Sequence, residues 1–172
     1  MRNADMLLMC DMLSITGCRV QTTTSSGGQK DATVKLNGEL VRLTSERGVT
    51  ILLINLIDCE MQDTRSFQTH NPHTAPRPAT ALINYLQGLK IGDAVVAVSV
   101  YDMMNSLGDA KNALKQWGVD LSHVEDRGTV TFVAQKGFPD RTRLVTVPIE
   151  EASVTAPASL DVTVSGMHIV AI

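Results

Sequence analysis

The sequence predicts a domain of mixed α and β structure, and three observations carry this prediction. The 172 residues, 44% of them hydrophobic, suffice for one domain whose core needs no metal or other staple. Three apolar runs have the length and composition of buried strands: Val49–Ile57, Ala94–Tyr101 and Thr129–Ala134. Segments with helical periodicity separate these runs. By itself, this alternation is typical of a doubly wound parallel sheet.

The N-terminal part of the chain is predicted to hold an apolar segment, a linker and a hairpin. Residues Met1–Val20 are apolar without a clean period, and the polar, glycine-containing stretch Gln21–Gln29 is typical of a linker. Within residues 32–43, two short predicted strands flank Asn37-Gly38, which is the strongest short-range signal for a β-hairpin. The run Val49–Ile57 is almost continuously apolar, which indicates a strand buried on both faces.

An irregular connection and a first helix are predicted next. Residues Asp58–Pro78 lack a regular pattern, and their prolines disfavour helix and central strand because proline has no backbone N–H. From Ala79 to Gly92 the apolar residues recur with the period of a helix. One face of this helix carries four apolar side chains: Leu82, Ile83, Leu86 and Leu89.

A second helix and further strands complete the predicted elements. After the strand Ala94–Tyr101, we expect Asn105 or Ser106 to cap a helix that ends before Gly118. The apolar face of this helix is formed by four residues: Leu107, Ala110, Leu114 and Trp117. Residues 150–158 are a second candidate linker. The strands predicted after the second helix are Thr129–Ala134, Arg143–Val147, Leu160–Val164 and His168–Ile172.

Charge and hydropathy argue against two kinds of partner. The net charge of −3 is spread along the chain, so we expect no nucleic acid held through phosphate contacts. No apolar run approaches the roughly 20 residues needed to cross a bilayer, so we expect no membrane insertion. The short run Met6–Cys10 lies between Asp5 and Asp11 and does not have the pattern of a signal peptide.

The cysteines and histidines show no metal-binding spacing. Cys10, Cys18 and Cys59 are odd in number and include no Cys-x-x-Cys pair, so we expect reduced core residues. We expect no metal, because the histidines form no ligand set: His70, His73, His123 and His168.

Motifs for catalysis are also lacking. The chain has neither a serine nucleophile elbow nor a phosphate-binding loop. Asp58, Glu60 and Asp63 cluster near a strand end, but a glycosidase needs two carboxylates placed across a cleft. We therefore expect no catalytic residues and no cofactor, and a protein that is not an enzyme.

Several short motifs follow one another in a characteristic order between residues 32 and 138. They begin with Arg47-Gly48 before a buried strand that ends in Asn55, followed by Asp63-Thr64 with Phe67. The remaining motifs are, in order, Leu89–Asp93, Tyr101-Asp102, Leu107 with Leu114–Gly118, and Arg127 followed by Phe132–Gly137. As an ordered set, they resemble the interleukin-like epithelial–mesenchymal transition inducer (ILEI) family. Its relatives include the stem domain of protein O-mannose N-acetylglucosaminyltransferase.

This resemblance implies an α+β fold in which two antiparallel β-sheets pack as a sandwich with two or three helices outside. The alternative is the α/β doubly wound sheet. Its nucleotide-binding version is disfavoured because the turn Ile57–Met61 has acids and no glycine where a nucleotide-binding loop has glycines. The predicted division is an N-terminal docking segment and linker at 1–29, the ILEI-like carbohydrate-binding domain at 30–148, and a C-terminal β appendage at 149–172.

The resemblance also implies a sugar-binding site, because the transferase stem domain is a carbohydrate-binding module. Its three sugar contacts correspond to Arg47 at the Arg-Gly turn, Asp102 after the middle strand and Arg127 before the last strand. A guanidinium donates up to five hydrogen bonds and a carboxylate accepts from two hydroxyls, so this trio suits a sugar. The same charges also suit a structural network that ties strand ends together. The family's aromatic and acidic residues around the last arginine are replaced here by Asp126, Gly128 and Val130.

The leading hypothesis is a non-catalytic, lectin-like carbohydrate-binding domain for attachment to cell-surface glycans. We expect a glycan ligand, with N-acetylglucosamine-containing glycans as the first candidates, and a homo-oligomer or larger protein assembly as its setting. The lack of an evident signal peptide favours a virion component, such as a phage tail or receptor-binding protein, with the cytoplasm as the alternative location. A structural assembly module without sugar binding is the second hypothesis, and a secreted cytokine-like ligand is the third.

Overall fold

The computed structural model describes residues 17–24, 32–43, 47–71, 73, 77–100, 103–104, 106–124, 128–148, 158–165 and 168–171. The strands are β1 (Cys18–Thr24), β2 (Ala32–Leu36), β3 (Glu39–Val41), β4 (Gly48–Asn55), β5 (Glu60–Phe67), β6 (Ala94–Val100), β7 (Thr129–Gln135), β8 (Arg143–Val147), β9 (Ala158–Ser165) and β10 (His168–Ala171). The helices are α1 (Arg77–Gly88) and α2 (Ala110–Lys115), and Pro139–Arg141 form a short 3-10 turn.

The strands form two five-stranded sheets in which every described pairing is antiparallel. Sheet A has the order β10-β9-β1-β2-β3, and sheet B has the order β5-β4-β6-β7-β8. The predicted α+β fold with two antiparallel sheets is confirmed. The doubly wound alternative is wrong, because β4, β6 and β7 are antiparallel neighbours joined by hydrogen bonds.

Sheet B is the middle of three layers, which explains why its central strands are apolar along their length. Successive side chains of a strand point to opposite faces, so both faces of these strands need apolar residues. One face packs against the helices, in a cluster that includes Ile51, Ala97, Phe132, Leu82 and Leu114. The other face packs against sheet A, in a cluster that includes Leu52, Val96, Val133, Val20 and Val162. The predicted two-sided burial of β4 is confirmed.

The predictions for the hairpin and the two helices are confirmed, with changes at both ends of each helix. β2 and β3 pair around Asn37-Gly38. The φ angles of these two residues are 50° and 86°, as a two-residue hairpin turn requires. α1 begins two residues before its predicted start and ends at Gly88, four residues before Gly92. α2 is shorter than predicted, because its N-cap is Asp109 instead of Ser106 and its last residue is Lys115. The other predicted cap, Asn105, lies outside the described residues.

β5 corrects the prediction that Asp58–Pro78 is irregular throughout. It pairs with β4 along the outer side of sheet B, with a register shift between Leu53 and Ile54. Of its side chains only Phe67 is buried, and most of the others are polar. The hydrogen bonds to β4 hold this edge strand in place, so it needs little apolar surface and shows no strand pattern in the sequence.

A disulfide joins the two sheets and corrects the expectation that the cysteines are reduced. Cys18 at the start of β1 is bonded to Cys59 in the turn between β4 and β5, with their Cα atoms 5.0 Å apart. The two residues are 41 positions apart in sequence, so it is the packing of sheet A on sheet B that brings them together. Cys10 lies outside the described residues.

Sheet A unites strands from all three predicted segments of the chain. β1 comes from the segment 1–29, β2 and β3 come from 30–148, and β9 and β10 come from 149–172. β1 is the central strand and pairs with both β2 and β9. The predicted boundaries therefore run through one sheet and do not separate folded units. The start of the predicted linker Gln21–Gln29 is part of β1, and the second linker lies outside the described residues except for Ala158.

Candidate functional site

Three strands of sheet B end side by side at an edge that we call the Gly48 end, formed by Gly48 of β4, Val100 of β6 and Thr129 of β7. Gly48 pairs directly with Val100. Val98 pairs with Thr131, and two further residues along each strand bring Val100 opposite Thr129. The Gly48 end is therefore built from three parts of the chain that are far apart in sequence.

The three predicted sugar-binding positions adjoin these strand ends. Arg47 directly precedes Gly48 and is exposed. Asp102 follows the last residue of β6 by two positions, Arg127 precedes the first residue of β7 by two positions, and both lie outside the described residues. The fold thus brings together the strand ends that flank the trio. The assignment of the trio itself stays a prediction.

The segment that follows β5 supports the turn at Arg47. A β-carbon added to Gly48 would lie 2.1 Å from the carbonyl oxygen of Phe67 and 2.7 Å from the amide nitrogen of Thr69, so backbone occupies the space of a side chain. Gly48 also has a φ of 121°, which residues with a side chain rarely adopt. His70 Nδ1 lies 3.1 Å from the carbonyl oxygen of Arg47. These contacts hold the backbone from which Arg47 projects.

Buried hydroxyl groups lie at or next to the Gly48 end. Thr69 and Thr129 are fully buried and Ser106 is 5% exposed. Their side-chain oxygens have no hydrogen-bond partner within the part of the chain that the structure describes. Buried polar groups without a partner are uncommon in folded proteins, and an ordered water is one way to satisfy them. This end of the core is therefore suited to polar contacts.

The opposite end of sheet B carries a groove of about 420 Å³ that was not predicted from the sequence. Ile57 and Ile91 line it and are 88% and 78% exposed. In the same groove, the guanidinium of Arg141 lies 4.0 Å from the centre of the Phe138 ring. The sequence did contain one signal for this groove, because Ile91 is a large apolar residue in a turn sequence, directly before Gly92.

The acidic residues near the end of β4 are engaged in local hydrogen bonds. Asp58 accepts hydrogen bonds from the side chain of Asn55 and from the backbone of Glu60, at 3.0 and 3.1 Å. Asp63 forms an ion pair with Arg65 at 3.1 Å. These contacts organise the β4–β5 hairpin, which is a structural use of the acids.

A shallow concavity between β5 and α1 contains the partly buried Tyr85. The guanidinium of Arg65 lies 5.1 Å from the centre of its ring. Burial, followed by the nearby carboxylate of Asp63, raises the pKa of Tyr85 to about 12. The phenol is therefore protonated at neutral pH, where it does not act as a general base.

The two histidines next to α1 take part in local hydrogen bonds. His70 contacts the Arg47 carbonyl, and the backbone N–H of His73 donates to the side chain of Asn71 at 2.9 Å. Among the described residues, no three His, Cys, Asp or Glu side chains lie close enough together to hold a metal ion. Within the same ranges, no helix has the length and apolar character needed to span a membrane.

The protein is a three-layer α+β domain. Polar groups from separate loops lie at one end of its central sheet, the Gly48 end. A family model described as Interleukin-like EMT inducer matches residues 47–138, which is more than half of the chain. The chain belongs to this family, and the resemblance found in the sequence motifs is confirmed. The matched range begins at Arg47 and includes all three predicted sugar-binding positions. No curated protein matches the chain.

Proposed function

We propose that this protein is a non-catalytic carbohydrate-binding module whose sugar site lies at the Gly48 end of sheet B. One observation carries the proposal: the strand ends at Gly48, Val100 and Thr129 are neighbours and adjoin Arg47, Asp102 and Arg127 in sequence. Family membership supports it, since the matched range contains all three positions. The sugar would be held by charged side chains from three separate loops.

The chemistry of the trio suits neutral sugar hydroxyls. Two guanidinium groups supply donors in a fixed fork, and one carboxylate supplies acceptors. Hydrogen bonds to charged groups contribute about 1.5–3 kcal/mol each, so a few of them orient a sugar without binding it tightly. A glycan that ends in N-acetylglucosamine is the first candidate ligand.

A weak site of this kind would act in several copies. Multivalent display raises avidity by about 10²–10⁴ without any new contact. A phage tail or receptor-binding assembly that attaches to cell-surface glycans is the setting we propose. Such an assembly would present many Gly48 ends to one glycan-covered surface.

A glycan-array screen of multivalent wild-type protein, Asp102→Ala and Asp140→Ala tests the proposal. Asp140 is an exposed acid in the 3-10 turn that follows β7, away from the Gly48 end, and serves as the matched control. We expect Asp102→Ala to lose at least about fivefold in affinity, because a central acceptor contributes more than about 1 kcal/mol. Asp140→Ala should bind as the wild type does.

Two results would contradict the proposal. Wild-type protein that binds no glycan in multivalent form would make the trio a structural network. The same conclusion follows if Asp102→Ala unfolds instead of losing affinity, which its melting temperature would reveal. Binding lost at an unchanged melting temperature supports a sugar site.

The second candidate function is an assembly module in which copies of this chain associate through the groove at the opposite end of sheet B. The exposure of Ile57 and Ile91 favours it, since large exposed apolar side chains that lie together are typical of contact surfaces. Sedimentation of wild-type protein and the double variant Ile57→Ser/Ile91→Ser tests this function. A wild-type monomer at high concentration would exclude association through this groove.

A further inference from the structure

The segment Phe67–His70 connects two loops of the Gly48 end. The amide of Thr69 donates to the carbonyl of Phe67 at 2.8 Å, which closes a tight turn directly after β5. The carbonyl of Thr69 accepts a hydrogen bond from the amide of Ser106 at 2.8 Å. Ser106 belongs to the connection between β6 and α2, the same connection that contains Asp102. The segment therefore contacts the loops of two of the three predicted sugar-binding residues.

The turn at Phe67–Thr69 packs against the peptide that follows Arg47. Gly48 allows this approach because it has no β-carbon to meet the Phe67 carbonyl. The absence of a β-carbon also removes the steric restriction that fixes backbone torsions in other residues. Pairing with Val100 fixes Gly48 from one side, and the His70 ring makes a further contact with the Arg47–Gly48 peptide at the Arg47 carbonyl.

The hydrogen bond between His70 and Arg47 has a defined direction. A carbonyl oxygen only accepts hydrogen bonds, so Nδ1 of His70 carries the proton and donates to the oxygen of Arg47 at 3.1 Å. The imidazole is half-buried next to the fully buried Thr69.

We propose that His70 is a positioning residue of the sugar site. By holding the carbonyl of Arg47, it sets the plane of the Arg47–Gly48 peptide and with it the direction in which the Arg47 side chain leaves the backbone. This inference rests on the proposed carbohydrate-binding function and names a residue outside the predicted trio. His70 acts through Arg47 and need not touch the sugar.

Three substitutions at His70 separate positioning from packing. His70→Leu keeps side-chain bulk and removes the donor. In His70→Asn, the side-chain amide nitrogen occupies the position of Nδ1. In His70→Gln, it occupies the position of Nε2. Only the asparagine therefore retains a donor within reach of the Arg47 carbonyl. His73→Leu is the control, because His73 is an exposed histidine next to the same connection.

Binding is measured on a glycan array, and then by titration with a multivalent N-acetylglucosamine conjugate or the strongest array ligand. We expect His70→Leu and His70→Gln to bind about 3- to 10-fold more weakly, as the loss of one hydrogen bond predicts. His70→Asn should restore affinity to within about twofold of the wild type, and His73→Leu should bind as the wild type does. Recovery in the asparagine variant is the result that a packing role alone would not produce.

Each other outcome has a separate meaning. If the wild type binds and the leucine and glutamine variants bind equally well, the positioning role is overturned while the sugar site stands. If asparagine and glutamine are equally impaired, the hydrogen bond to Arg47 is not the cause, and the proposal is again overturned. If the wild type binds no glycan, the sugar site fails, and the positioning role fails with it. Should His70→Leu unfold, the asparagine–glutamine comparison decides alone.

Discussion

At the scale of single residues, the surroundings of Gly48 restrict this position to glycine. Its φ of 121° and the Phe67 carbonyl, 2.1 Å from the place of a β-carbon, exclude a side chain for two independent reasons. The Arg-Gly motif is therefore partly a packing motif, since its glycine is needed whether or not its arginine binds a sugar. The structural role of the glycine is therefore separate from the sugar-binding role proposed for the arginine.

We predict that Gly48→Ala lowers the free energy of unfolding by at least about 2 kcal/mol, because backbone strain and a clash with backbone atoms add up. Gly38→Ala is the matched control. Gly38 also has a positive φ, of 86°, but among the described residues other than its chain neighbours no atom lies within 4 Å of the added carbon. Gly38→Ala should lower the free energy of unfolding by about 1 kcal/mol, from backbone strain alone. Urea unfolding of both variants tests this, and equal losses would show that the contact with Phe67 is not tight.

At the scale of elements, Lys136 joins the end of β7 to the end of α1. Its Nζ donates to the carbonyls of Leu86, Gln87 and Leu89 at 2.9, 2.8 and 2.6 Å. These are carbonyls at the end of the helix, where backbone acceptors lack partners within the helix and the helix dipole favours a positive charge. The Lys136-Gly137 motif of the sequence thus holds a helix in place.

We predict that Lys136→Met destabilises the protein by about 1–3 kcal/mol, because three carbonyls lose a charged donor. Hydrogen exchange should quicken selectively in the last turn of α1. Lys35→Met is the control, since Lys35 is an exposed lysine on β2. Uniformly faster exchange throughout sheet B would contradict a local capping role.

At the scale of the whole molecule, the Cys18–Cys59 disulfide ties sheet A to sheet B. It connects β1, the central strand of sheet A, to the β4–β5 hairpin of sheet B. β1 also makes a hydrogen bond across the sheets, because Thr22 Oγ1 lies 2.6 Å from Thr131 Oγ1. β1 is therefore an integral strand of the sandwich and not part of a detachable N-terminal segment.

We predict that the disulfide contributes about 3–4 kcal/mol of stability, as the closure of a loop of this length implies. Two measurements test this in a Cys10→Ala background. Urea unfolding with and without a reducing agent should differ for the protein with Cys18 and Cys59, and the variant Cys18→Ala/Cys59→Ala should resemble the reduced form under both conditions. A reducing agent that leaves the unfolding midpoint unchanged would contradict the prediction.

Much of the fold could be predicted from local patterns. The apolar run of β4 and the Asn37-Gly38 turn depend on neighbours within a few residues, and the structure confirms both. β1 could in principle have been recognised, because buried and exposed residues alternate from Cys18 to Thr24. The threonines and the adjacent serine–glycine stretch gave it the composition of a linker instead. β5 offered no comparable signal, since an edge strand tolerates a polar sequence.

The sequence by itself determined the family, the two-sheet α+β class and the three charged positions proposed to bind a sugar. These follow from the order of the motifs and from the family resemblance that this order carries, because short-range periodicity alone favoured a doubly wound sheet. Only the tertiary structure decided that β1 pairs with β9, that Cys18 meets Cys59, that Lys136 caps α1 and that His70 holds Arg47. The physical reason is that local patterns specify which residues face a core. Which distant segment fills the other side depends on strand register and layer packing over the whole chain.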